Sequence, residues 1–297
     1  MTEPSLAARL LANGPFVRTA APFRVLTVSG TDAADFLQRL CSQDVLGLAD
    51  GVAAPAAFLD AKGKLLVTSL VQRLAGVHWL ETAAEQADRL AQLLERYHFN
   101  EKLTIGVPPA PGQCLEWIAA PATPPPAVAG GVRFAWTRRG VQFVRWHFAA
   151  DAAVPVLPGA PLDMVTAAGL RMAAGIVAVG ADTEPSTLAL EADLDDHCST
   201  SKGCYTGQEI VARIHTYGHV NRRLCLLQLG PGPAIEAPQP LHEPEDRLAV
   251  GRVMRAVPLP DGTARVGLGY LPRDFQAAGT QLLLADGAAV GVLAWGA

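Results

Sequence analysis

The chain has 297 residues, half of them hydrophobic and 18% charged, enough to bury a sizeable core in one large domain or two to three small ones. A formal net charge of −4 leaves no broad basic face and argues against general or direct nucleic-acid binding, with Arg222-Arg223 the one local cluster read as a candidate anion site. Five cysteines (41, 114, 198, 204 and 225) are odd in number and widely spaced, with no C-x-x-C pair, which fits a reducing compartment better than a disulfide framework. Residues 1–21 lack a positive region followed by an unbroken apolar run. The most apolar long window, 162–180, is interrupted by Asp163 and Arg171. Neither a secretory signal nor a membrane span is read, and the expected location is the cytoplasm.

Residues 23–28 alternate as a strand, Ser29-Gly30 turns it, and Thr31 is placed to cap a helix whose apolar positions include Phe36, Leu37 and Leu40. Residues 56–59 and 64–71 read as a hairpin around Asp60-Ala61-Lys62-Gly63, with Gly63 supplying a positive φ. A short strand is expected at 77–80. From 83 to 97 the apolar residues recur at three and four, which makes a helix with Tyr97 on its core face. The proline-rich stretch 107–128 reads as extended surface chain holding one strand near 115–118. Residues 132–136 and 141–148 form a second hairpin around Arg138-Arg139-Gly140, followed by a helix over 162–175. An acidic segment (Asp182, Glu184, Glu191, Asp193, Asp195, Asp196) comes next. Beyond Gly218, short apolar runs alternate with Gly/Pro turns, the pattern of a small barrel or sandwich. The expected fold class is α+β, with an α+β body over 1–228 and a β domain over 229–297. The strand–helix–strand–strand order near the start suits ferredoxin-like split βαβ packing.

Between the acidic segment and the β domain stands Lys202-Gly203-Cys204-Tyr205-Thr206-Gly207-Gln208-Glu209. Thr206 and Glu209 have the T-x-x-E spacing of a capping box, which would start a helix near Gly207. Cys204 would then precede the positive end of that helix with Lys202 two residues away, an environment that favours thiolate. On residue type alone Cys204 reads as an ordinary buried small residue, and its place before the helix beside Lys202 brings the reactive reading level with that one. His197, Cys198 and Cys204 lack the spacing of a zinc site and a fourth ligand, so no metal is expected. The two glycines lack the context of a nucleotide loop.

Lys-Gly-Cys-Tyr-x-Gly-Gln-Glu resembles the signature of the YgfZ-type folate-binding proteins, relatives of the glycine cleavage T-protein that serve iron–sulfur protein assembly. Supporting segments are similar as well: Phe36, Leu37, Gln38, Leu40, Asp44 and Val45; Phe58-Leu59-Asp60-x-Lys62-Gly63-Lys64; Arg96-Tyr97; Arg171-x-x-x-Gly175-Ile176; and Leu190-Glu191-x-Asp193-Leu194. The resemblance covers roughly residues 20–228, and the C-terminal module matches in kind only. Asp193 stands where the family has Asn, and His197-Cys198-Ser199-Thr200 replaces a more apolar lead-in. Arg213-x-His215-x-x-Gly218-x-Val220-x-Arg222-Arg223-Leu224 is closer to the mitochondrial-type branch.

The resemblance implies a T-protein-like fold of lobes around a central cleft plus a C-terminal β-barrel. It further implies a tetrahydrofolate (or derivative) in that cleft, and a role as accessory factor in assembly or repair of [4Fe–4S] clusters in client enzymes, with tRNA modification an indirect consequence. Partners would be those client enzymes and iron–sulfur assembly proteins. Cys204 would be the reactive thiol, with Lys202, Tyr205, Gln208, Arg213, Glu191, Asp193 and Arg223 around the folate. The blander readings stay beside these: a solvated Lys202, a Glu209–Arg213 pair at i,i+4, capping alone for Gln208 and Glu209, and a surface charge for Glu191. The resemblance implies a factor rather than a turnover enzyme. The alternative is a folate-dependent one-carbon (aminomethyl or demethylating) transferase.

Overall fold

A computed structural model describes residues 5–19, 21–107 and 112–296. Parts of two expectations, the leaderless start (residues 1–4 and 20) and the proline-rich stretch (108–111), lie outside the described residues. Helix α1 (Leu6–Leu10), capped by the Ser5 hydroxyl, and strand β1 (Phe16–Arg18) come first. The chain then completes a whole lobe before returning to the sheet that β1 belongs to.

That first lobe contains β2 (Phe23–Gly30), α2 (Ala33–Leu40), β3 (Ala54–Leu59), β4 (Leu65–Leu74), β5 (Val77–Ala83), α3 (Ala87–Tyr97) and β6 (Leu103–Gly106). Its sheet runs β3-β4-β5-β2-β6, antiparallel throughout. With the edge strand β3 set aside, this is the split βαβ order expected from the sequence. Phe36, Leu37, Leu40, Leu90 and Leu94 pack the two helices onto Leu26, Val28, Val67, Val71 and Leu80. Two local expectations are corrected. Asp32, not Thr31, occupies the N-cap of α2, and its carboxylate accepts the Lys102 N–H at 2.7 Å. Tyr97 ends α3 at 39% exposure, because the core-facing stripe stops at Leu94.

The second lobe adds β7 (Gln113–Ala119), β8 (Val132–Arg138), β9 (Val141–Phe148) and β10 (Ala160–Pro161) to β1, in the order β10-β1-β7-β9-β8. Arg139 and Gly140, both at positive φ, make the tight β8–β9 turn. Helix α4 (Met164–Ala173), capped by Asp163, lies against α1 and the barrel. After an irregular stretch comes α5 (Gln208–Tyr217).

The barrel is closed by β11 (Arg222–Leu229), β12 (Gln239–His242), β13 (Ala249–Pro258), β14 (Arg265–Pro272), β15 (Gln281–Leu283) and β16 (Ala289–Leu293), in the order β11-β14-β13-β12-β15-β16. The unbroken apolar run of β11 has a physical reason. Cys225, Leu227 and Leu229 fill the barrel, while Leu224 and Leu226 join the core shared with α4, so both faces are buried. The division expected after residue 228 falls inside this strand, and the barrel starts at Arg222. No helix among the described residues is long and apolar enough to cross a membrane.

Candidate functional site

The octapeptide is a docking element before it is anything else. Helix α5 starts at Gln208, and its N-cap is Gly207, at φ +84, with no side-chain cap bond. The expected Thr206–Glu209 capping box does not form, because the chain enters the helix through a left-handed residue that only glycine adopts cheaply. A Cβ on Gly207 would lie 2.7 Å from the Asp60 carbonyl oxygen and 3.2 Å from the Gly63 Cα, and one on Gly63 would lie 2.8 Å from the Ile210 Cβ. The β3–β4 turn and the start of α5 therefore interlock glycine against glycine, which joins two of the sequence motifs physically. The Thr206 N–H adds a bond to the Arg39 carbonyl at 3.1 Å.

Lys202 is 7% exposed, and its ammonium donates to the Cys41 and Gln43 carbonyls at 2.8 and 2.6 Å. Burial lowers its pKa. It is neither a solvated lysine nor free for an anion. Tyr205 is buried with its hydroxyl near the Ser199 carbonyl (3.4 Å), and the Gln208 amide donates to the Lys202 carbonyl (3.3 Å). Cys204 is exposed, whereas the other four thiols are buried. Glu209 and Arg213 are both exposed, and no ion pair joins them, contrary to the i,i+4 expectation.

The acidic segment is not a solvated surface. Glu184 pairs with Arg222 and Arg252, Glu191 with Arg222, Asp193 with Arg139 and Arg223, Asp195 with Arg223, and Asp196 with Arg138. Glu191, Asp193 and Arg223 are thus committed to one another's neighbourhood, and Arg222-Arg223 is not a vacant anion site. Arg138, 6% exposed, also donates to the Gly175 and Asp193 carbonyls. Gly175 (φ +67) makes room for both guanidinium groups, since a Cβ there would clash with the Arg139 Nη1 and lie 3.1 Å from the Arg138 Nη1. The β8–β9 turn therefore bolts the second lobe to the segment that leads into the barrel.

A cavity of about 290 Å³ opens where the two sheets, α4 and β13 meet. Phe23, Trp136, Phe143, Leu70 and Ile118 supply apolar wall, and Pro22, Glu85 and Met164 are its exposed lining residues and mark its mouth. Its polar side is a chain of buried charges. Arg145 reaches Glu81 (Nη2 to Oε2, 2.6 Å) and Glu116 (3.1 Å), Arg18 holds the other oxygen of Glu116, and His147 holds the other oxygen of Glu81. Arg145 also lies over the Phe23 ring at 3.9 Å. Burial alone would raise the pKa of Glu81, but Arg145 and His147 outweigh it and hold the carboxylate low. Arg171, His197 and Arg255 add to the polar lining. Just behind Arg171 the wholly buried Asp182 accepts from it and from the Ala178 N–H (2.8 Å), leaving Oδ1 without a partner.

None of Lys202, Cys204, Tyr205, Gln208, Arg213, Glu191, Asp193 and Arg223 lines this cavity. None of its polar residues is read from the sequence as a folate-site residue: Arg171 enters only with the Arg171-x-x-x-Gly175-Ile176 segment, and His197 only as a metal ligand that its spacing argues against. Arg18, Glu81, Glu116 and Arg145 each sit in a strand and His197 in a 3-10 turn, and Glu81, Glu116 and Arg145 lie in runs whose apolar neighbours mark them only as strand. A charged residue inside such a run is the one signal available in advance. No group of three or more His, Cys, Asp or Glu side chains placed to hold a metal occurs among the described residues.

No protein-family model matches the chain. It is 29% identical to a mitochondrial iron-sulfur cluster assembly factor IBA57 homolog of Phaeosphaeria nodorum, over 71% of this chain and 54% of that protein. It is 26% identical to the tRNA-modifying protein YgfZ of Escherichia coli O157:H7, over 88% and 86%. A putative chloroplastic transferase of Arabidopsis thaliana is 30% identical over 42% of the chain and 28% of its own length. The chain thus spans about a quarter of the plant protein and about half of the fungal one. Among solved structures, glycine cleavage system aminomethyltransferase T from Bartonella henselae superposes with a TM-score of 0.75 at 17% identity, covering 97% of this chain and 88% of that one. Such a likeness gives the fold, that of the glycine cleavage T-protein, and the YgfZ and IBA57 relatives bear out the resemblance read from the sequence: the chain is similar to the YgfZ-type proteins.

Proposed function

We propose that the protein is a tetrahydrofolate-binding factor that assists assembly or repair of [4Fe–4S] clusters in client enzymes, with Cys204 as its reactive thiol. The carrying observation is the central cavity. Its aromatic and aliphatic walls suit a planar ring system, and its polar side offers charged and hydrogen-bonding groups to a ring edge. At about 290 Å³ it has room for the head of a folate, with the glutamate tail leaving through the mouth beside Met164 and Glu85. A bound folate would supply one-carbon chemistry, and Phe23, Trp136, Arg145, Arg171 and His197 would hold its head.

The two buried carboxylates facing the cavity are both committed to guanidinium groups, which fits holding a ligand better than moving a proton. The relatives named for iron–sulfur cluster assembly and for tRNA modification support the factor reading. Cys204 contributes access, as the one exposed thiol among the five.

Calorimetry with 5-formyltetrahydrofolate tests the ligand, and rescue of cluster-dependent enzyme activity in a deletion strain tests the role. Wild type is expected to bind and rescue, and Cys204→Ala to bind without rescuing. Full rescue by Cys204→Ala would remove its assigned role. The second reading, a folate-dependent one-carbon transferase, draws on the likeness to an aminomethyltransferase. Incubation with tetrahydrofolate and a methylated glycine, read for one-carbon transfer, decides between the two.

A further inference from the structure

His197 stands in the stretch that departs from the family's apolar lead-in, and no role was assigned to it from the sequence. The structure buries it to 4% exposure in the lining of the central cavity. Its position is set from three sides. The Ser42 hydroxyl donates to its carbonyl at 2.6 Å, the Trp136 ring meets its imidazole edge-on at 5.8 Å, and Nδ1 lies 2.8 Å from Asp196 Oδ1. Asp196 is itself gripped by Arg138, whose Nε and Nη2 reach its two oxygens at 2.9 and 3.1 Å. Nε2 has no hydrogen-bond partner among the described residues, and it is not one of the fully enclosed polar atoms.

We infer that His197 is a ligand-recognition residue of the cavity, presenting a bare Nε2 as the hydrogen-bond acceptor for an N–H or O–H group on the head of the bound molecule. The inference rests on the reading of the cavity as a ligand site. The tautomer follows from the partner. An ionised carboxylate only accepts, so Nδ1 carries the proton and Nε2 keeps its lone pair. Asp196 is ionised: burial works to raise its pKa, but the bonds from His197 and Arg138 hold it at about 2. The imidazole is neutral, because burial lowers its pKa against the opposing pull of Asp196, with Arg138 lowering it and Asp193 raising it further. These three are the strongest charged influences on it. An imidazolium would present a donor at Nε2 and reject the same ligand atom. The residue is thus a selector for a ligand with a donor at that point, at pH values above its own pKa.

The test is calorimetry of 5-formyltetrahydrofolate binding between pH 5 and 8, on wild type, His197→Gln and His197→Phe. Wild type is expected to hold its affinity at neutral pH and to lose it as the pH falls and the imidazole protonates. His197→Phe should bind about three- to tenfold more weakly at pH 7.5, the size of one neutral hydrogen bond, and should lack this acid-side loss. His197→Gln, whose amide oxygen accepts, should regain affinity over Phe without the pH response. Binding by His197→Phe equal to wild type, or an unchanged acid-side decline, would overturn the inference. If wild type takes up no reduced folate, that failure belongs to the ligand reading. The assignment of His197 then rests on the ¹⁵N spectrum of the free protein at pH 7.5. A protonated Nδ1 with a bare Nε2 supports it, and the reverse tautomer or an imidazolium overturns it.

Discussion

The octapeptide and the central cavity divide the chemistry of this protein between a contiguous segment and an assembled one. In the octapeptide, Lys202, Tyr205, Gly207 and Gln208 spend their side chains or their lack of one on docking, and Cys204 and Glu209 are left outward. In the cavity no two of Arg18, Glu81, Glu116, Arg145 and His197 are sequence neighbours, yet four of them join in one chain of ion pairs and the fifth holds a separate dyad. A motif dense in polar residues is thus mostly scaffold here, and lone charges buried in strands line the central cavity.

Substitutions that separate the two regions sharpen this contrast. The largest loss is expected in the cavity. Arg145→Met would leave Glu81 and Glu116 short of their shared cation and should cost about 3–5 kcal/mol, read from the urea midpoint. A loss below about 1 kcal/mol would show that those carboxylates are less enclosed than described. Gly175→Ala comes next, at about 1–3 kcal/mol for a positive φ and a Cβ driven into Arg139. In the octapeptide, Lys202→Met strips two buried carbonyls of their donor and should cost about 1–3 kcal/mol. A neutral result would return Lys202 to a functional role. Cys204→Ala should change stability by no more than about 0.5 kcal/mol while it abolishes rescue, the signature of an exposed working residue.

The pH dependence separates the groups again. The lowered pKa of buried His197 means that the unfolded chain binds the extra proton first, so stability starts to fall as pH drops below about 6.5. Asp196, held at about 2 against about 4 when unfolded, contributes stability that is present above about pH 4 and lost between there and pH 2. Glu81 adds to the acid-side loss in the same direction. Thermal melts across pH 2–8 should show both steps, and Arg138→Met should raise the lower one. A flat profile from pH 8 to 5 would mean that His197 is solvated.

Much of the architecture was readable because it is local. Periodicity marked the β3–β4 and β8–β9 hairpins, the helix carrying Leu90 and Leu94, and the barrel strands. The capping box failed because spacing cannot reveal that Gly207 faces the Asp60–Gly63 turn, some 150 positions earlier. Glu191 and Asp193 read as site residues through the family resemblance, and the sequence does not show that Arg222, Arg223 and Arg139 pair with them, since those partners are brought in by packing.

What the sequence by itself determined was the class of elements and the family likeness, both of which depend on patterns among neighbouring residues. Only the tertiary structure decided which charges are neutralised and which remain to meet a ligand. A charge is free or committed according to what long-range packing sets beside it, and packing brought Arg145 between Glu81 and Glu116 and set His197 in the cavity lining.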